Sequence, residues 1–360
     1  MLAFTHRERK LPEFAGRVVA AGLLGAALLG LGANVHPYQP VAPRWSEADL
    51  AVADTSNNAW SLLDAEVDLE IPSELRALVD AEETNTALFW PQVDEQADLL
   101  HEFLATPAAL EAQALVEAIR ERPTFEDAAG ASKVIPWLKL HRVALLQAIE
   151  LARTDALADS TTLLCELIRV DRAHLESARS LISFVVALED LGATLSVADG
   201  IARHVEQDPR ALALLAPLAP ALRSVDVEAI DLERVVVGEY VALVDMLDDF
   251  EGGSGDLLEL TDMPEWTRWL YSRPLTLRGL NERFEARYVA ASAHDTHAAL
   301  GVGERSPKQA IGWWVRNAVG ASFLAAGTAD FASLASSIEQ DIARLGRTRA
   351  DLLARLKPVE

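Results

Sequence analysis

The sequence predicts an all-α chain: an irregular helical bundle or solenoid-like array preceded by one N-terminal transmembrane or signal helix. Three observations predict it. Apolar residues recur at helical spacing through most of the chain, while strand-like alternation is scarce and β-branched runs are short. Helix starts are marked by a capping residue followed by proline, at Thr106-Pro107, Asp208-Pro209 and Ser306-Pro307, and the last of these also fits a capping box in "SPKQ". From Val18 to Ala33 no residue is charged or polar.

The chain opens on a basic leader, residues 1–17, in which Arg7, Arg9, Lys10 and Arg17 outnumber Glu8 and Glu13. The segment 18–35 follows. Val18 to Ala33 makes roughly 24 Å of helix, short of the ~30 Å hydrocarbon core of a bilayer. Phe14 to Val35 makes roughly 33 Å and includes Arg17, whose long stem can snorkel to the head groups. After the segment, Arg44 is the only cation before Glu47, Asp49 and Asp54. This asymmetry places the leader in the cytoplasm and the body in a bacterial periplasm.

The expectation is a retained single-pass anchor in the inner membrane. The alternative is a signal peptide cleaved near Asn34, which would release a secreted or soluble periplasmic body; Gly30, Gly32 and Ala33 are small enough for a signal peptidase. The leader is long for a signal peptide, and no strict A-x-A precedes Asn34. No Cys follows the apolar run, which excludes lipoprotein processing. In a retained anchor, Gly22, Ala26 and Gly30 recur every four residues and form a helix–helix face. Small residues are also ordinary in any such segment.

Residues 36–45, "NVHPYQPVAPRW" with its preceding Asn and Val, read as an extended Pro-rich linker. A main helical domain is expected over 46–250, with helices over 92–105, 107–121, 134–153, 156–172, 174–205, 209–223 and 226–250. "WLKLHRVALLQAIELA" and "SLISFVVALEDLGATL" are apolar over more than one face and are expected to lie buried between other helices. Neither reads as long or clean enough to span a membrane. Pro217 and Pro220 predict a kink or two short helices within 209–223. No 34-residue self-similarity is present, so tetratricopeptide repeats are not expected. A Gly-rich loop, 251–262, either separates off a C-terminal helical part, 263–360, or runs along the surface of one domain. Helices are expected beyond it near 263–271, 277–292, 307–326 and 329–356.

Charge narrows the functions. The formal net charge is −23 and the isoelectric point about 4.7. Such a surface repels phosphate backbones, so no nucleic-acid partner is expected. It also disfavours broad contact with anionic lipid head groups. Cys165 is the single cysteine, which rules out an intrachain disulfide. Its apolar neighbours at helical spacing predict a small core residue and not a nucleophile.

The search for chemistry returns little. Asp248, Asp249, Glu251 and Asp256 crowd one loop, but the order of an EF-hand is missing. His294 and His297 flank "DT". On one helix face such a pair could hold zinc or copper, but no third ligand stands nearby, and histidines at a helix end commonly serve as polar caps. No cofactor or metal is expected. HExxH, the phosphate-binding P-loop, the GxSxG elbow and the dinucleotide glycine motif are all absent. Acids are too numerous for a catalytic pair to be singled out. Tryptophans cluster late in the chain, at Trp266, Trp269, Trp313 and Trp314, with Tyr271, Arg268, Arg273 and Arg316 among them. They mark either an interaction surface or ordinary core.

"RPLTLRGLN" at 273–281, "RNAVG" at 316–320 and the long closing helix resemble uncharacterised bacterial envelope proteins, which are helix-rich and carry an N-terminal hydrophobic segment. Pro274, Thr276, Asn281, Asn317 and Gly320 carry the resemblance, whereas Leu275 stands where a polar residue fits that pattern. The resemblance implies helical class and envelope location, and no activity. The readings converge on a membrane-tethered periplasmic helical protein, held by residues 18–35, that scaffolds or binds an envelope protein partner and is not expected to be an enzyme. The alternative is a helical envelope hydrolase using a carboxylate pair that the sequence does not identify.

Overall fold

The computed structural model describes residues 40–50, 57–64, 69–80, 88–126, 134–230, 232–252, 271–302 and 332–356. The segment 18–35 with Gly22, Ala26 and Gly30, the tryptophans Trp266, Trp269, Trp313 and Trp314, and the loop from 253 to 262 lie outside the described residues. Among the described residues all regular structure is helical, and the one strand-like feature is an isolated bridge between Asn58 and Thr124.

The helices are α1 (Ser73–Val79), α2 (Phe89–Glu95), α3 (Ala97–Leu104), α4 (Pro107–Arg120), α5 (Val134–Arg153), α6 (Leu157–Ser177), α7 (Leu181–Val205), α8 (Pro209–Leu214), α9 (Leu218–Arg223), α10 (Glu233–Gly252), α11 (Arg273–Ser292), α12 (Thr296–Ala299) and α13 (Ala332–Arg355). Local chemistry sets many of their ends. The Thr106 hydroxyl accepts the Ala109 N–H at 3.3 Å to start α4, and Asp208 accepts the Arg210 N–H at 2.9 Å to start α8. Pro217 and Pro220 divide 209–223 into α8 and α9, one of the two outcomes expected.

Four boundaries differ from expectation. The helix expected from 226 begins at Glu233, after a separate 3-10 turn at Val227–Ala229. The stretch 92–105 is two helices, α2 and α3, meeting at Gln96. The break expected between 172 and 174 lies instead at 178–180: α6 runs on to Ser177, and α7 begins where the Ser180 hydroxyl accepts the Ser183 N–H at 3.1 Å. That cap satisfies one of the orphan donors of a new helix, and apolar periodicity alone does not reveal it. α11 starts at Arg273 rather than 277, with Pro274 in its first turn, where a missing N–H costs nothing.

At the centre α5, α6 and α7 pack against one another; α1, α3 and α4 lie on α5, and α13 lies along α7. α7 corrects a second expectation. It has 25 residues and a window of mean hydropathy 1.7, so it is long and apolar enough to cross a membrane by length and composition. Yet 61% of that window is buried inside the bundle, against α5, α6 and α13. Beyond the Gly-rich stretch, α11 packs on α10 and α13 on α7, and Leu277, Phe284, Ile338 and Leu345 join the same hydrophobic core as Trp60, Trp137 and Leu164.

The stretch expected as a linker is partly docked. Val41 packs against the core. The Arg44 N–H donates to the Tyr240 hydroxyl at 2.7 Å, and that hydroxyl donates to Asn281 Oδ1. Asn281 Nδ2 in turn donates to the Ala42 carbonyl at 3.1 Å. Trp45 lies edge-on to Tyr240, ring centroids 5.2 Å apart, with Tyr288 at 5.5 Å. Further on, the Leu50 carbonyl accepts from Arg179 at 2.7 Å and from Arg234 at 2.9 Å. Residues 41–50 thus form a strap laced across the packed helices α10 and α11.

Candidate functional site

Three helices each carry a polar stripe into the core. On α5, Trp137 and His141 are one turn apart; on α6, Asp171 and His174; on α7, Ser183, Asp190 and Thr194 follow at seven and four residues. Because α5, α6 and α7 pack together, these stripes meet. His141 Nε2 lies 3.2 Å from Asp171 Oδ2 and 3.0 Å from Thr194 Oγ1. Thr194 donates to the same Asp171 oxygen at 2.7 Å. On the other side of the ring, His141 Nδ1 lies 3.4 Å from Asp190 Oδ1. Carboxylates on both edges require a proton on each ring nitrogen, so the arrangement suits an imidazolium.

Burial governs the electrostatics. His141 is 1% exposed, Asp171 0% and Asp190 2%. Burial by itself pulls the His141 pKa down, but the charges of Asp171 and Asp190 outweigh it and raise the value to about 9. Burial pushes the Asp190 carboxyl up, with His141 opposing and Asp171 assisting. An imidazolium at His141 together with a proton on Asp190 would leave the trio electrically neutral, the arrangement a low-dielectric core favours. Asp171 Oδ1 and Asp190 Oδ2 are buried without a hydrogen-bond partner, as is the Trp137 indole nitrogen. A second layer continues the seam: His174 Nε2 lies 3.0 Å from Ser183 Oγ, and Trp60, Phe125 and Trp137 surround the two histidines.

Chemically the trio is an acid–base set with no exposed atom at which a substrate could react. Two clefts lined by described residues lie elsewhere. One, of about 150 Å³, runs between Arg172, Glu176, Asp226, Ile230 and Arg234. Within its lining Arg172 reaches Glu176 at 3.4 Å. The other, of about 170 Å³, is more apolar and lies between Leu181, Glu239, Leu243, Leu280 and Phe284. Neither lining includes His141, Asp171 or Asp190.

The residues singled out in the sequence fare differently. Cys165 is free and half-buried; burial first, and the Glu166 charge second, push its thiol up to about 11. It is a protonated core thiol at neutral pH. His294 and His297 do not share a helix face. His294 occupies the turn after α11 with φ 57°, and His297 belongs to α12, where its Nε2 lies 3.5 Å from Glu339. The Asp295 carboxylate between them caps α12 by accepting the Ala298 N–H at 2.9 Å. The motif is therefore a helix-to-helix turn, and among the described residues no three His, Cys, Asp or Glu side chains gather as a metal set. Asp248, Asp249 and Glu251, expected in an acidic loop, instead belong to the last turns of α10, because the helix runs on to Gly252, and Asp248 pairs with Arg273, whose Nε lies 2.8 Å away.

The buried trio escaped sequence reading, although a signal was present. His141 and Asp190 each interrupt a helix that is otherwise apolar on several faces, and an ionisable group at such a position must find a partner. Which partner depends on helices brought together from distant parts of the chain. Compared with known proteins, the chain matches no family model, no curated protein and no solved structure.

Proposed function

We propose that the chain is a membrane-tethered helical protein that scaffolds or binds a partner in the bacterial envelope, with its body in the periplasm. The tether is the uncharged run within 18–35, and the charge asymmetry around it supports the orientation. One observation carries the non-enzymatic part of the reading. The site where acid and base groups converge, His141 with Asp171 and Asp190, is sealed inside the helices it joins. It ties three helices together and offers nothing to a substrate.

The experiment has two parts. Intact mass of protein purified from native membranes should show the Met1-containing leader, and a mature start near Asn34 would remove the tether. The same preparation should turn over neither peptidoglycan nor phospholipid. The rival, an envelope hydrolase, rests on Glu176 and Asp226, the acids lining the first cleft. Turnover that is abolished by Glu176→Gln or Asp226→Asn in a folded protein would establish the rival instead.

A further inference from the structure

We infer that the strap at residues 41–50 sets the orientation of the body on the membrane, turning the α10–α11 face toward the lipid head groups; this rests on the tether reading above. The argument is one of chain length. Val35 ends the apolar segment, and Val41 is already packed against the core. Six residue steps span at most about 20 Å when fully extended. The head-group layer occupies about 5–7 Å of that on each side of the bilayer. Val41, the strap's first residue packed on the core, therefore lies within about 15 Å of the head-group surface, and the Ala42 carbonyl on Asn281 and the Arg44 N–H on Tyr240 follow directly along the strap.

The strap is built to bear this. Tyr240 is fully buried, and its hydroxyl links the strap to α11 by accepting from Arg44 and donating to Asn281. Trp45 is wedged between Tyr240 and Tyr288, so a pull on the chain works against two aromatic contacts together with the hydrogen bonds at Ala42 and Arg44. The face presents Arg44 and Glu285, both exposed and 3.6 Å apart, beside Asp248 and Glu47. This mixed, acid-rich chemistry has no attraction for anionic lipid. The surface is membrane-facing because it is tethered there, and the strap selects which side of the body looks at the bilayer.

The test uses the full chain in vesicles of phosphatidylethanolamine and phosphatidylglycerol carrying head-group nitroxide quenchers. In a Cys165→Ser background, a fluorophore is placed on Arg278→Cys, exposed on α11 one turn before Asn281, or on Glu111→Cys, exposed on α4. The expected result is several-fold stronger quenching at 278 than at 111. Inserting a long Gly-Ser stretch between Tyr38 and Gln39 leaves the body untouched and should erase that difference. Equal quenching at the two sites in protein with an intact leader would overturn the orientation and leave the tether standing. A mature start near Asn34 in the same sample, read by intact mass, would overturn the tether and the orientation with it.

Discussion

His141 and Asp190 face each other across 3.4 Å at the centre of the bundle, 49 residues apart in sequence, on helices α5 and α7 that pack together. Neither is exposed, and the charge state of each depends on the other: Asp190 helps to hold the proton on His141, while burial resists the ionisation of Asp190. The relationship makes stability a function of pH. His141 binds its proton more tightly folded, at about 9, than unfolded, at 6.5. Its contribution is fully present below pH 6.5 and is lost as pH rises through about 9. Asp190 is shifted in the same direction from 3.8, so it too favours the folded state at lower pH. Its share is lost between pH 3.8 and about 7, and His141 alone should remove on the order of a few kcal/mol of unfolding free energy between neutral and alkaline pH. Urea titrations across that range should show the decline in the native protein and a flatter profile in His141→Gln.

The two carboxylates of the trio are not equivalent. Asp171 accepts from both His141 and Thr194, whereas Asp190 has one long contact to His141 and an unpartnered oxygen. Asp171→Ala should cost about 3–5 kcal/mol, because it strands a buried imidazolium and a buried hydroxyl. Asp190→Asn keeps the Asp171 pair and removes a carboxyl whose ionisation burial disfavours, so its cost should be about 1 kcal/mol. Equal losses for the two variants in urea denaturation would contradict this hierarchy.

Two glycines should respond in opposite senses. A Cβ on Gly238 of α10 would sit 1.8 Å from the Arg179 carbonyl oxygen, which is backbone and cannot swing away. Gly238→Ala should destabilise by about 3 kcal/mol and loosen the turn at 178–180, where Arg179 also holds Leu50. A Cβ on Gly346 of α13 meets only Val227 at 3.6 Å, an ordinary contact. Gly346→Ala should raise stability by about 0.5–1 kcal/mol through helix propensity alone. Thermal melts of the two variants should move in opposite directions.

Cys165 should be a quiet thiol. With its pKa at about 11 rather than 9, native protein at pH 8 should hold about a hundredfold less thiolate than an unperturbed group. Alkylation by iodoacetamide should accordingly be slow in native protein and rapid in urea. Fast native alkylation would show that the surroundings of Cys165 open readily.

Helical class was legible in the sequence because its causes are local. Periodicity, the Thr106 and Asp208 caps and the Pro217–Pro220 interruption each act within a turn or two, and α5 begins and ends at the residues its apolar pattern marks. The turn at 178–180 was displaced in that reading because helical periodicity runs on past it, and only the Ser180 cap distinguishes it. Other features needed the tertiary structure. His294 and His297 look like a pair in sequence and are parted by a left-handed residue. α7 is apolar enough for a membrane, and its neighbours α5, α6 and α13 make most of it core. The trio of His141, Asp171 and Asp190, and the lacing of Ala42 and Arg44 onto Asn281 and Tyr240, join residues far apart along the chain. A sequence specifies which side chains an element carries inward; which of them meet is decided when long-range packing closes the space between helices.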